Sequence, residues 1–174
     1  MSIQPIRLLG DPVLRRPCAR VKTFATDELR TLVSDLTDTL SDFRTSRGFG
    51  RGIAAPQIGV PLRVIVTKSD APEVLINPVI TKRSKKKVAL WDDCFSFPDL
   101  AVRLKRHLAI EVAYVDEEGR KKTFAASGAA AELLQHEIDH IDGVLAIDRA
   151  IDLKHIVYKK ELEKPGESGK ALAM

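Results

Sequence analysis

The sequence predicts an α+β domain, with antiparallel β-sheets packed around a central helix and an amphipathic helix near the N-terminus. Three observations carry that prediction. Apolar residues recur at helical spacing between Asp27 and about Arg44. Several β-rich segments separated by turn residues fill the middle of the chain. A second helical run, Ser127 to Asp142, contains Gln135-His136-Glu137-Ile138-Asp139-His140.

Taken in order, Ile6 to Arg16 holds a turn at Gly10-Asp11-Pro12 with one short helical turn, ended by Pro17. From Asp27, Leu29, Leu32, Val33, Leu36, Leu40 and Phe43 form one stripe, and Thr26 or Asp27 serves as the cap. Arg47 to Val60 is a loop rich in glycine and small residues. It is either an ordinary flexible connection or a wall along which an extended peptide can lie, with Gln57 as a donor into the site. Leu62 to Thr67 and Val74 to Thr81 read as strands separated by Ser69-Asp70-Ala71-Pro72. Lys82 to Lys87 is a basic run, expected as a solvated hairpin edge. Leu108 to Val115 and Arg120 to Ala125 pair across the turn Asp116-Glu117-Glu118-Gly119. The second helix is expected to be capped by Ser127 and stopped at Gly143. Asp152 to Glu163 reads as a short last helix, and Pro165 to Met174 as a frayed, disordered tail beyond one domain of residues 1–164.

Composition bounds the rest. A length of 174 residues fits one domain with a real core, and 44% apolar and 30% charged residues are those of a soluble globular chain. A formal charge of +4 permits weak attraction to RNA or ribosomes without requiring it. Cys18 and Cys94 suit free thiols in a reducing cytosol. No apolar run approaches a membrane span, and Met1-Ser2-Ile3-Gln4-Pro5 lacks the pattern of a signal peptide. A cytoplasmic location is expected, with no membrane and no DNA partner.

His136 and His140 are four apart, so they share one helix face and can grip one metal ion. Glu137 lies beside that face, where it can act as a base towards water, as in metal-dependent hydrolases. Two histidines leave a third ligand to find. His155 and Glu161 are candidates downstream, and Cys94, in Trp91-Asp92-Asp93-Cys94-Phe95-Ser96-Phe97-Pro98, is the candidate upstream. Spacing alone does not choose between them.

Three segments together resemble the peptide deformylase family. Gly50-Arg51-Gly52-Ile53-Ala54-Ala55-Pro56-Gln57 matches its G-x-G-[L/I]-A-A-x-Q motif. Asp92-Asp93-Cys94-Phe95-Ser96 matches E-G-C-L-S in part, and Gln135 to His140 matches Q-H-E-x-D-H in full. Leu9 to Arg15 is similar to the family's opening, and Ile76-Asn77-Pro78 to its central strand. The resemblance implies that Cys94, His136 and His140 ligate one divalent ion, ferrous iron foremost, with zinc or nickel able to replace it. It implies an enzyme that removes the N-formyl group from the N-terminal methionine of nascent proteins. Glu137 would move the proton, and the Gln57 amide and the Phe95 N–H would stabilise the oxyanion. The peptide would add as a strand between Gly50, Arg51 and Gly52 and the residues after Cys94, its methionine entering a pocket walled by Ala129 and Leu133.

The second motif departs from the family in three places. Asp92 replaces Glu and is one methylene shorter, so it is expected to strain to reach Arg106. Asp93 replaces Gly, placing a charge beside the substrate path and a side chain where positive φ is expected. Phe95 replaces Leu. These departures leave two alternatives: a deformylase-like hydrolase with shifted preference, in which Asp93 repels acidic peptides, or a metal-binding module without turnover that contacts the ribosome through Lys82–Lys87.

Overall fold

The computed structural model describes residues 2–162. In chain order its elements are α1 (Asp27–Arg47), β1 (Gly52–Ala54), β2 (Val64–Thr67), β3 (Val74–Arg83), β4 (Lys87–Asp93), β5 (Leu100–His107), β6 (Ala109–Val115), β7 (Lys121–Ser127), α2 (Gly128–Ile141), β8 (Ile156–Tyr158) and α3 (Lys159–Leu162), with short 3-10 turns between them. The strands form a five-stranded sheet, β1-β2-β3-β6-β7, and a three-stranded sheet, β4-β5-β8. All named pairings are antiparallel.

The first helix forms for the reasons the sequence suggests. Thr26 caps it by accepting from the Leu29 N–H. Leu29, Leu32, Leu36 and Leu40 fall on one face, are buried, and pack against Ile53, Ile58, Val64, Val66 and Ile76. Each such leucine contributes roughly 2 kcal/mol of burial. The helix ends at Arg47, a little beyond the expected Arg44.

Strand β2 explains how two helices share one sheet. Val64 and Val66 face α1, whereas Ile65 joins Leu75 and Val112 against Leu134, Ile138 and Ile141 of α2. Successive side chains of a strand point to opposite faces, so an uninterrupted apolar run means burial on both sides. Beside it, Asn77 adopts φ 52° and exchanges two 2.9 Å hydrogen bonds with the Val21 backbone, tying the N-terminal segment to β3 where its register shifts.

Three expectations are corrected. The basic run is no hairpin edge: Lys82 and Arg83 end β3 and Lys87 begins β4, which belongs to the other sheet. Strands β4 and β5 form a hairpin that leaves the large sheet between β3 and β6, themselves paired neighbours. Its two ends are tied together by Ser84 N–H to Ala109 O, 2.8 Å, and Leu108 N–H to Lys86 O, 3.0 Å. The expected helix over Asp152 to Glu163 resolves into a 3-10 turn, β8 and the one-turn α3, because Ile156–Tyr158 pairs with the open edge of β5. Ser127 occupies the N-cap of α2, but its side chain makes no capping bond. The expected tail from Pro165 lies outside the described residues.

Candidate metal centre and active site

Past its exposed first turn helix α2 runs into the interior, with Leu133 to Ile141 buried without interruption. Most polar side chains on such a helix must find partners. Each pair of residues four apart faces a different neighbour. Leu134 and Ile138 face the large sheet. Gln135 and Asp139 face β5: the Gln135 amide accepts from the His107 N–H and donates to its carbonyl, both at 2.9 Å, while Asp139 accepts from Arg106 at 2.5 Å. Leu133 and Glu137 face β1, and His136 and His140 face Cys94.

Cys94 lies just past the end of β4, in the tip of the β4–β5 hairpin. Its Sγ is 3.2 Å from His140 Nε2, which is 3.2 Å from His136 Nε2. These are the three residues among those described whose ligand atoms could hold one metal ion, all within 4.8 Å of one another. His155 instead meets Asp152 at 2.8 Å, so the downstream alternative is not supported, and Glu161 is not part of the cluster.

Several features fit this set to a cation. His136 Nδ1 stands 3.0 Å from Asp92, which can only accept, so Nδ1 carries the proton and Nε2 offers its lone pair. Burial works against charge on His136, but Asp92 outweighs it and raises its pKa well above the usual value. The same field favours any positive charge at Nε2. Burial and the neighbouring His136 push His140 well below its usual value, leaving a neutral imidazole. A tetrahedral ion about 2.0–2.1 Å from two ring nitrogens separates them by ~3.3 Å, close to the spacing found.

Asp92 is held in turn. Burial alone would raise its carboxyl, yet His136 and Arg106 outweigh burial and keep it below the usual carboxylate range. Arg106 Nη2 reaches Asp92 at 2.9 Å, so the shorter side chain spans the gap after all. Arg106 also bonds Asp139, which takes Arg149 at 2.9 Å. A chain of charge-assisted bonds thus runs from the protein surface to the first ring.

A cavity of about 440 Å³ opens beside this centre, lined by Gly50, Arg51, Gly52, Gln57, Asp93, Cys94, Phe95, Leu133, His136 and Glu137. Of the residues expected to touch substrate, all but Ala129 line it. Phe49, Leu90, Trp91 and Glu132 line it too and were not anticipated. Ala129 does not; its carbonyl accepts from Arg51, whose guanidinium also pairs with Glu132. Gln57 is oriented by its Oε1, which accepts from the Ala54 N–H at 2.9 Å, so its NH2 lies 3.6 Å from Cys94 Sγ. Burial pushes the Glu137 carboxyl up to about 7, and its Oε2 is buried with no partner among the described residues. Glycine is demanded at two places. At Gly50, φ is +118° and a Cβ would meet the Phe95 ring at 2.3 Å; at Gly52 it would meet Glu137 Oε1 at 2.8 Å.

The expectation of strain at Asp93 is overturned. It is not among the residues of positive φ, pairs regularly with Ala101, and meets Lys159 at 2.7 Å. Phe95 stacks on Phe43 with centroids 3.8 Å apart, so its added bulk is absorbed by an aromatic cluster.

A family model described as polypeptide deformylase matches residues 3–155. The peptide deformylase of Brucella suis biovar 1 is 37% identical over 170 residues, covering 94% of either chain. The crystal structure of peptide deformylase from Thermotoga maritima has a TM-score of 0.81 at 33% identity, over 87% of this chain and 100% of that one. A class I type b peptide deformylase from Acinetobacter baumannii, bound to Met-Ala-Ser, has a TM-score of 0.77 at 30% identity, over 86% and 99%.

Proposed function

From the premise that this chain belongs to the peptide deformylase family, hydrolases that remove the N-formyl group from nascent proteins, we propose which of its residues do the chemistry. The protein is a deformylase, and its family works with a catalytic divalent metal. Cys94, His136 and His140 are the proposed ligands, and the convergence of their three donor atoms beside Glu137 is the observation that carries the assignment. Ferrous iron is the proposed ion, with zinc or nickel able to replace it, since a thiolate with two imidazoles suits all three. When bound, such an ion acts as a Lewis acid towards water and the formyl oxygen.

The remaining steps belong to the chain's own groups. Glu137 takes a proton from the water that adds to the formyl carbon. A carboxyl poised at about 7 can then release that proton to the departing amine, as the C–N bond breaks to give formate and a free amino terminus. The Gln57 NH2, fixed by the Ala54 N–H, donates to the oxygen that gains charge, and the Phe95 N–H is the second donor proposed. One such donor is worth about 3 kcal/mol. The peptide main chain runs along Gly50, Arg51 and Gly52, with Leu133 beside the methionine side chain. The Met-Ala-Ser ligand of the Acinetobacter relative supports this peptide reading.

Residues 1–164 are proposed as one cytoplasmic catalytic domain. Among the described residues no helix is long and apolar enough to cross a membrane. A transient ribosome contact through Lys85, Lys86 and Lys87 is proposed because these side chains are exposed beside one another. Salt-sensitive cosedimentation that weakens when they are neutralised tests it. The activity test is formate release from formyl-Met-Ala-Ser by protein loaded anaerobically with iron, nickel or zinc. Release with at least one ion is expected. Silence with all three, at one ion bound per chain, would refute the residue assignment.

A further inference from the structure

Asp93 ends β4 one residue before Cys94 and lines the catalytic cavity, with 45% of its side chain exposed. Alone, that carboxylate would put a negative charge on a wall that a bound peptide passes. It is not alone. Lys159, the first residue of α3, places Nζ 2.7 Å from Asp93 Oδ2. The same ammonium lies 3.6 Å from the ring centroid of Phe49, which lines the cavity from the segment that leads into Gly50. One cation therefore spans the hairpin wall and the glycine-rich wall.

Its placement is held from behind. The Lys159 N–H donates to Asp99 O at 2.8 Å, and the preceding Tyr158 is in register with Leu100 of β5. The ammonium is thus delivered by the strand that borders the Cys94 loop. Its side chain is 22% exposed, less than that of its partner. Phe49 in turn packs edge-on to Phe43 and Phe95, at 5.3 and 5.9 Å. The charge is local, paired across elements far apart in sequence, and held between two residues that line the cavity, Asp93 and Phe49.

We propose that Lys159 is a specificity-determining residue of this deformylase. It cancels the Asp93 charge and braces Phe49, so the enzyme accepts formyl peptides with acidic or basic residues after methionine alike. The inference rests on the deformylase reading and deepens it. A single uncompensated charge about 7 Å from a substrate charge, in the high effective dielectric of a cavity mouth, changes relative binding by roughly fivefold.

The test measures kcat/KM on C-terminally amidated formyl-Met-Ala-Asp, formyl-Met-Ala-Ser and formyl-Met-Ala-Lys with the metal-loaded enzyme at low salt. The wild-type acidic-to-basic ratio should lie within about twofold of one, because the paired charges cancel. Lys159→Met should lower that ratio about fivefold, with the effect shrinking in high salt. Adding Asp93→Asn should return the ratio towards one. Asp93→Asn alone, which leaves the ammonium uncompensated, should move it the opposite way, and this variant keeps the test decisive if Lys159→Met folds poorly. Lys160→Met removes an equal charge one residue away and should leave the ratio alone. An unchanged ratio in an Asp93→Asn or Lys159→Met enzyme that still hydrolyses the serine peptide overturns the proposal. Absence of formate from wild-type enzyme with every peptide instead overturns the deformylase reading beneath it.

Discussion

Replacing Gly52 with alanine should disable catalysis without touching an ion ligand. A Cβ at that position would lie 2.8 Å from Glu137 Oε1, 3.0 Å from Leu133 Cδ1 and 3.1 Å from Glu137 Cδ. Carbon and oxygen atoms not bonded to each other rest nearer ~3.3–3.5 Å, so the carboxylate must retreat by roughly half an ångström, or β1 must shift. A displacement of about 1 Å at a reacting group costs on the order of 100-fold in rate. The expected loss in kcat/KM is therefore about 10- to 100-fold. Overpacking of this kind costs about 1–3 kcal/mol, and in a chain of this size the melting temperature falls roughly 2–4 °C per kcal/mol. Formate release from formyl-Met-Ala-Ser measures the first effect, thermal unfolding the second, and plasma emission the ion content. A folded Gly52→Ala protein with wild-type turnover would refute the placement of Glu137 as the base. So would a loss that tracks departure of the ion.

Glu137→Gln should retain the ion and lose about 10²- to 10⁴-fold in turnover; retained activity would assign the base elsewhere. Cys94→Ser should weaken ion retention on dialysis against a chelator, and unchanged metal content would exclude the thiolate as a ligand. Arg106→Met strips both Asp92 and Asp139 of a buried partner, which should cost about 3–5 kcal/mol in urea unfolding, whereas Arg120→Ala, at an exposed pair, should leave the unfolding midpoint nearly unchanged. Burial pushes the Cys18 thiol up to about 11, so native, ion-loaded protein at pH 8 should be slow to react with a thiol reagent. Chelation should expose one reactive thiol, Cys94, and denaturation two; rapid reaction of Cys18 in the native state would contradict its burial.

The helices were legible in the sequence because their information is local. Leu29, Leu32, Leu36 and Leu40 repeat at helical period, and two histidines four apart need only a helix to meet. Strands β4 and β5 were not legible, because their inward positions carry Asp92 and Arg106 where alternation demands apolar residues. Those charges are buried only because each finds its partner across elements: Asp92 takes His136, and Arg106 takes Asp139. The same holds for Asp93. Neighbouring residues suggested strain and exposed charge, while the compensating ammonium comes from Lys159, invisible until β8 is laid on β5. The last helix was overextended because Ile156-Val157-Tyr158 suits either state, and an open strand edge decided it.

The sulfur reaches the histidines on a hairpin that departs from and rejoins the large sheet at a single neck, where Ser84 meets Ala109 and Lys86 meets Leu108. Such an insert behaves as a cassette. Its tip can change composition, as at Asp93 and Phe95, while the strands on either side of the neck keep their register and the imidazoles stay where they are. The two positions flanking Cys94 are therefore free to diversify while Asp92, Cys94 and Arg106 are not, which makes Asp93 and Phe95 the places to vary when a different appetite for peptides is wanted from the same scaffold.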